Sequence, residues 1–334
     1  MFRRHSGKRR TNIVFVIFRL LLSLVIFVVL LGGIYSAYKH FSGLDPLKLD
    51  PQAVVKNILV TKTPREFFAV LSSVKIDPKI LGQKASGEKQ QSAQALNFRF
   101  LVVADSHNDN VNLQKALKQA KEDFSDIQFI IGLGDYTEVG TINELKVAKA
   151  ELDNSGLRYF LIPGDHDLWD CRNRGLIPVS CFNQVFGPAF QSFSFNGFRL
   201  MLLDNSDNYA GFGEEQLKWI TQDLEKAKDE EIKGILVFMH EPLFHPSSDH
   251  VMGWVEKNLK LQADMLLFEL KDAGAKQLFS GHIHYFSQYL EPKTSLSMVT
   301  IGALTSEGNP QSPRFAIVSV FDDGSVKVED IAIK

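Results

Sequence analysis

Three short apolar runs, each leading to an aspartate and set 30 residues apart, constrain this chain more than any other feature. Residues 98–104 run into Asp105, residues 127–131 lead to Gly134-Asp135, and residues 157–162 lead to Gly164-Asp165. Runs this short, with β-branched residues in them, predict buried strands. Between the first two, Val111, Leu113, Leu117 and Ala120 recur at helical spacing, and residues 142–152 read as a second helix. Strand and helix alternating in units of about 30 residues predict βαβ units and a parallel sheet. Each unit carries its aspartate to the same sheet edge, where open α/β sheets bind ligands.

The pattern changes after Gln191. Two apolar runs flank Asn196-Gly197, a hairpin signal. Residues 214–228 and 261–273 read as helices and residues 234–239 as a strand; the tail from Gln277 is strand-rich, with a further hairpin at Asp322-Asp323-Gly324. The expected fold is α/β: a two-sheet β-sandwich flanked by helices in four layers. A chain of 334 residues, 45% hydrophobic, has enough apolar mass for such a core.

The polar residues at the predicted strand ends are of one kind. Asp105-Ser106-His107, Gly134-Asp135, Gly164-Asp165-His166-Asp167, His240 and Gly281-His282-Ile283-His284 each follow a strand. Carboxylates and imidazoles crowded at a sheet edge repel one another or are costly to bury, and divalent ions remove that conflict. Mixed oxygen and nitrogen donors suit manganese, iron or zinc. Glycine before a ligand permits a sharp turn and close approach. In Asp-x-His and His-x-His on extended backbone, alternate residues face one side. There is no dinucleotide fingerprint, phosphate-binding G-x-x-x-x-G-K-[ST] loop or G-x-S-x-G elbow.

In this order the five blocks resemble the calcineurin-like metallophosphoesterase superfamily, whose pattern is D-x-H, G-D, G-N-H-[DE], H, G-H-x-H. The resemblance covers about residues 98–321. It implies a metal-dependent phosphoric ester hydrolase that uses two divalent ions (Mn²⁺, Fe²⁺/Fe³⁺ or Zn²⁺) and attacks a phosphodiester or phosphomonoester with a metal-bridging hydroxide. One ion is assigned to Asp105, His107, Asp135 and His284. The other falls to Asp135, Asp165, His240 and His282, with Asp135 bridging. His166 is expected to contact the phosphate or protonate the leaving oxygen, with Glu138 or Asp167 orienting its imidazole. Asp165 stands where the family usually has Asn; if it turned from the metal, Arg172 could pair with it. Glu138 stands where purple acid phosphatases place a tyrosine, which draws the chain towards the phosphodiesterase-like branches. Residues 168–190 and 204–214 are expected to wall the site. Trp169, Phe182, Phe186, His245 and His250 either select a leaving group or pack the loops. A catalytically weak scaffold or partner-binding module of the same fold is the alternative function.

The N-terminus carries a separate signal. Residues 20–38 contain no charge, and residues 13–18 extend the apolar run. About 20 such residues span a bilayer as a helix. Five basic residues within 3–10 predict a cytoplasmic N-terminus and an exported body. The expected organisation is a cytoplasmic basic tail (1–12), one transmembrane anchor (13–38), a stalk (39–97) and the catalytic domain (98–334) outside the cytoplasm. A cleaved signal peptide is the alternative to the anchor. Residues 1–39 hold seven of the 37 basic residues and no acidic one, so the remainder carries 30 basic against 39 acidic. That net of −9 makes nucleic acid an unlikely partner, because its binding rests on Lys and Arg. Cys171 and Cys181, in a loop-like stretch, either pair in an oxidising compartment or stay as buried thiols.

Overall fold

The computed structural model describes residues 95–230 and 232–334. The expected basic tail, anchor and all but the last residues of the stalk lie outside them. Among the described residues no helix is long and apolar enough to cross a membrane.

The first sheet has the order β11-β10-β1-β2-β3, built from β1 (Leu96–Val103), β2 (Ile127–Gly132), β3 (Arg158–Leu161), β10 (Arg314–Phe321) and β11 (Val326–Ala332). The strands β1, β2 and β3 are parallel, whereas β10 and β11 add antiparallel. The expected parallel sheet is therefore mixed, because the strand-rich tail returns to pair with β1. The second sheet has the order β4-β5-β6-β7-β9-β8. Its strands are β4 (Gln191–Phe195), β5 (Phe198–Leu202), β6 (Gly234–Phe238), β7 (Ala275–Ser280), β8 (Ser287–Leu290) and β9 (Ser297–Thr300). Its parallel centre, β5 to β7 and β9, is edged by antiparallel β4 and β8.

The period-2 alternation of strand side chains divides the core. In β1, Phe98, Phe100 and Val102 face the second sheet, where they meet Phe198, Leu236, Phe238 and Phe279. Leu101 and Val103 face the other way, onto α1 (Asn110–Asp123) and α2 (Ile142–Asn154). The outer face of the second sheet is covered by α5 (Glu214–Asp229) and α6 (Leu259–Asp272). The four-layer arrangement follows. Between the sheets, Phe100 stacks on Phe129 and meets Phe238 edge-on, the offset and edge geometries that aromatic rings prefer.

Local chemistry ends the helices near the site. Asp109 caps α1 by accepting the Asn112 N–H, and Thr141 and Glu144 form a reciprocal capping box at the start of α2. The stretch read as a loop around the cysteines contains two short helices, α3 (Trp169–Asn173) and α4 (Ser180–Phe186), which a Cys171–Cys181 disulfide joins.

Candidate metal centre

All seven predicted ligands lie at the carboxyl ends of the strands, where turns from both sheets converge. Asp135, Asp165, His240 and His282 each bring one donor atom within 4.8 Å of the others. Asp105, His107 and His284 form a second such group, and His107, Asp135 and His166 a third.

The turns are tied together through backbone and carboxylates. The Asp105 and His107 amides donate to the Gly134 and Asp135 carbonyls, at 3.1 and 2.9 Å. The Asp105 carboxylate accepts the His282 amide at 3.0 Å, which joins the two sheets. Asp135 Oδ1 accepts the His166 amide at 2.9 Å. Asp105, His107, Asp135, His282 and His284 all have positive φ. The expected extended Asp-x-His and His-x-His segments are therefore left-handed turns. The strain sits on the ligands, at roughly 1–3 kcal/mol each, as at many functional sites. Gly164 serves close approach instead: a Cβ there would lie 2.1 Å from Asp135 Oδ1.

The imidazoles are oriented for coordination. His240 Nδ1 lies 2.8 Å from the Leu133 carbonyl and His284 Nδ1 lies 3.1 Å from the Glu307 carbonyl. A carbonyl only accepts, so each Nδ1 carries the hydrogen and each Nε2 presents a lone pair inward. His284 Nε2 faces His107 Nε2 at 3.1 Å, and His240 Nε2 faces His282 Nδ1 at 3.2 Å. Inward lone pairs at that separation repel unless a cation lies between them. Burial pushes the Asp165 carboxyl up, but hydrogen bonds with His240 and His282 outweigh it and hold the group far below its usual range. Burial disfavours charge on His240, yet the Asp135 carboxylate and bonds to Asp135 and Asp165 carry its pKa well above the ordinary value. Burial, helped by the neighbouring His166 and His284 rings, lowers His107 against the pull of Asp135 and Asp105. The donor set thus fits divalent ions of the manganese, iron or zinc type.

The two residues assigned to orient the His166 imidazole lie elsewhere. His166 Nδ1 lies 2.8 Å from the backbone carbonyl of Glu138, so the orienting group is a peptide oxygen and neither carboxylate. The Glu138 carboxylate instead lies 3.7 Å from His107 Nδ1. Asp167 is fully buried and accepts the Gly164 amide at 2.9 Å, the Thr137 amide at 3.1 Å and the Thr137 hydroxyl at 2.7 Å. Its oxygens are used up in joining two turns, and it is a brace. Asp165 faces His240 and His282, while Arg172 pairs with Asp207 at 3.0 Å.

Of the loop residues, Phe182 packs against Tyr136 in the core, and buried His245 bonds Ser287. His250 lines an open cavity of about 440 Å³ with Ser248, His282, His284 and Tyr285. Two positions escaped sequence reasoning. Buried Asn205 accepts the amides of His240 and Glu241 and donates to the Glu241 carbonyl, which fixes the His240 turn. Glu241 lies 3.9 Å behind His282 Nε2, with burial pushing its carboxyl up to about 7. Its place directly after His240 was the available signal.

Residues 98–286, more than half of the chain, match the family model described as calcineurin-like phosphoesterase. The chain belongs to this family. The metallophosphoesterase is 29% identical over 167 residues to the Arcobacter nitrofigilis protein named "Probable glycerophosphodiester phosphodiesterase GpdQ", covering 48% of this chain and 58% of that one. It is 26% identical over 129 residues to serine/threonine-protein phosphatase CPPED1 of Mus musculus, covering 37% and 40% of the two chains. It therefore spans less than two thirds of the length of these relatives. Among solved structures, purple acid phosphatase PPD1 from yellow lupin superposes with a TM-score of 0.55 at 15% identity, over 72% of this chain and 52% of that one; the likeness is one of fold. As a member of this family, the chain carries Asp/His clusters able to hold metal ions.

Proposed function

We propose that this metallophosphoesterase is a two-metal hydrolase of phosphodiesters, held at the cell membrane by residues 13–38 with residues 98–334 outside the cytoplasm. The observation that carries the catalytic part is the pair of imidazole contacts whose inward nitrogens face each other across 3.1 and 3.2 Å. Asp105, His107, Asp135 and His284 would hold one ion, and Asp135, Asp165, His240 and His282 the other. Bound ions would neutralise phosphate oxygens and supply a nucleophilic water near neutral pH. His166, with its proton on Nδ1 committed to the Glu138 carbonyl, keeps Nε2 for the leaving group. In its doubly protonated form, His166 would pass the Nε2 proton to the ester oxygen as that oxygen's bond to phosphorus breaks, leaving a neutral ring that still donates from Nδ1 to the Glu138 carbonyl.

The preference for diesters rests on charge. The cavity beside His282 and His284 is lined by Ser248, His250, Tyr285, Gly308 and Pro310 and by no Lys or Arg. A monoester's second negative charge finds no side-chain cation on that wall. The diesterase named among the relatives supports the same reading. Export is supported by the Cys171–Cys181 disulfide, since such bonds persist in oxidising compartments.

The decisive measurement follows metal content and turnover together in the purified chain with Mn²⁺, on bis(4-nitrophenyl) phosphate, 4-nitrophenyl phosphate and a cyclic nucleotide. The diester should be turned over fastest. Asp135→Ala should lose bound metal and nearly all activity; a variant with full metal and a normal rate overturns the assignment. For topology, a reporter that works only outside the cytoplasm, fused after Lys334, should be active. Activity confined to a cytoplasm-only reporter overturns export.

A further inference from the structure

The groups that hold His166 extend beyond its hydrogen bond to Glu138. The indole of Trp169 stacks on the His166 ring with centroids 3.9 Å apart and planes 27° from parallel. The His107 ring meets it edge-on from another side, at 4.5 Å. Trp169 opens α3, and the next amide, of Asp170, donates to the Val139 carbonyl at 2.7 Å. The Glu138 carbonyl and the indole are thus carried by one latched unit. That unit is clamped further. Thr137 binds Asp167, and a Cβ on Gly140 would lie 2.3 Å from the Asp167 carbonyl oxygen. Two residues after Trp169, Cys171 bonds Cys181 and fixes α3 to α4.

We propose that Trp169 is a positioning residue for His166. Its ring blocks the rotation that would swing the imidazole off the Glu138 carbonyl, and so keeps Nε2 aimed at the leaving oxygen. The indole is half-buried and need not touch the substrate to act in this way. A hydrogen bond fixes one atom of a ring but not its plane; the stacked indole fixes the plane. The inference rests on the reading of His166 as proton donor, and the test separates the two.

The test compares 4-nitrophenyl methyl phosphate with phenyl methyl phosphate, or the matching aryl monoesters if only those are turned over, using the Mn²⁺-loaded chain. Phenol, the poorer leaving group, needs the proton more. Trp169→Ala should lower kcat on the phenyl ester about three- to tenfold, the rate equivalent of one aromatic contact, and less on the nitrophenyl ester. KM and metal content should stay at wild-type values. Trp169→Phe should recover most of the loss, and Trp169→Leu, which fills space without a ring, should not. In a His166→Ala background, Trp169→Ala should cost nothing more.

Equal losses on both esters, no rescue by Phe, or a further loss in the His166→Ala background would overturn the role of Trp169. Should Trp169→Ala not fold, the contrast between Phe and Leu decides. If His166→Ala itself loses equally on both esters, the proton-donor reading fails and this inference with it. If only the Trp169 variants fail to discriminate, the positioning role alone is lost.

Discussion

Asp165 is the residue at which this chain departs from the common pattern of its family, and the geometry gives the departure a chemical meaning. Its Oδ1 lies 3.2 Å from both His240 Nε2 and His282 Nδ1, so the extra charge is spent inside the cluster. A carboxylate attracts a divalent ion more strongly than the neutral amide oxygen of Asn. Asp165→Asn should therefore release metal at lower chelator concentration than wild type, with the fold unchanged. Metal content across an EDTA series checks this; equal or tighter retention would refute the charge argument. Asp167, one turn away, has the same side chain and another task. The resemblance offers it, as the alternative to Glu138, for orienting the His166 imidazole, a task carboxylates commonly perform. The 3₁₀ turn His166–Leu168 points the carboxylate back into the core, where three backbone amides and a hydroxyl claim it. Which of two neighbouring aspartates faces a site depends on turn geometry, and spacing alone does not carry that.

At the scale of elements, the site depends on how closely the β2 and β3 turns approach. Gly164 permits Asp135 to lie against its backbone, and a methyl there would overlap Asp135 Oδ1 and the Asp135 amide nitrogen at 2.1 and 2.3 Å. Gly164→Ala should cost about 1–3 kcal/mol of stability through overpacking, and should displace Asp135. Metal content and a urea unfolding midpoint measured together test both halves; a variant with normal metal and midpoint would show that the turn can yield. The β5–α5 connection offers a pH test. Burial holds the Asp204 carboxyl up near 6, against hydrogen bonds from Ser206. A carboxyl raised in the folded state favours folding while protonated. Its contribution is fully present below its unfolded value and is lost as pH rises through about 6. Discounted for its partial exposure, the change is on the order of 1 kcal/mol. The stability of Asp204→Asn relative to wild type should therefore rise between pH 4 and pH 7. A constant difference would refute the burial effect.

At the scale of the described residues, two sheets meet at their carboxyl edges, so the candidate donors after β1, β2 and β3 face those after β6 and β7. The disulfide lies on the flank of the first sheet, between two short helices. Closing a loop across a separation of ten residues is worth about 2–3 kcal/mol in the chain-entropy account. Reduction with dithiothreitol should lower the unfolding free energy from a urea titration by that amount, with a matching fall in the midpoint, and leave metal content unchanged, since neither cysteine belongs to the donor clusters. An unchanged midpoint would count against the bond's stabilising role.

The alternating apolar runs and the 30-residue spacing of Asp105, Asp135 and Asp165 were enough to place strands, helices and the edge carrying the chemistry. Those signals are local: a period of 2 or 3.6 is written in consecutive residues, and a βαβ unit returns its strand end to the same edge by construction. The Asp and His residues at the strand ends were legible for the same reason, and the resemblance to the family singled out the seven proposed donors among them. Three things came only with the tertiary structure. The mixed character of the first sheet required β10 to find β1 across more than 200 residues. The pairing of Cys171 with Cys181 required α3 and α4 to form in what reads as a loop. The contacts of His166, with the Glu138 carbonyl on one nitrogen and Trp169 against its face, required two turns to latch together. Periodicity reports which side of an element a residue occupies, but not which turn of another element will lie across from it. That is decided when the two sheets pack.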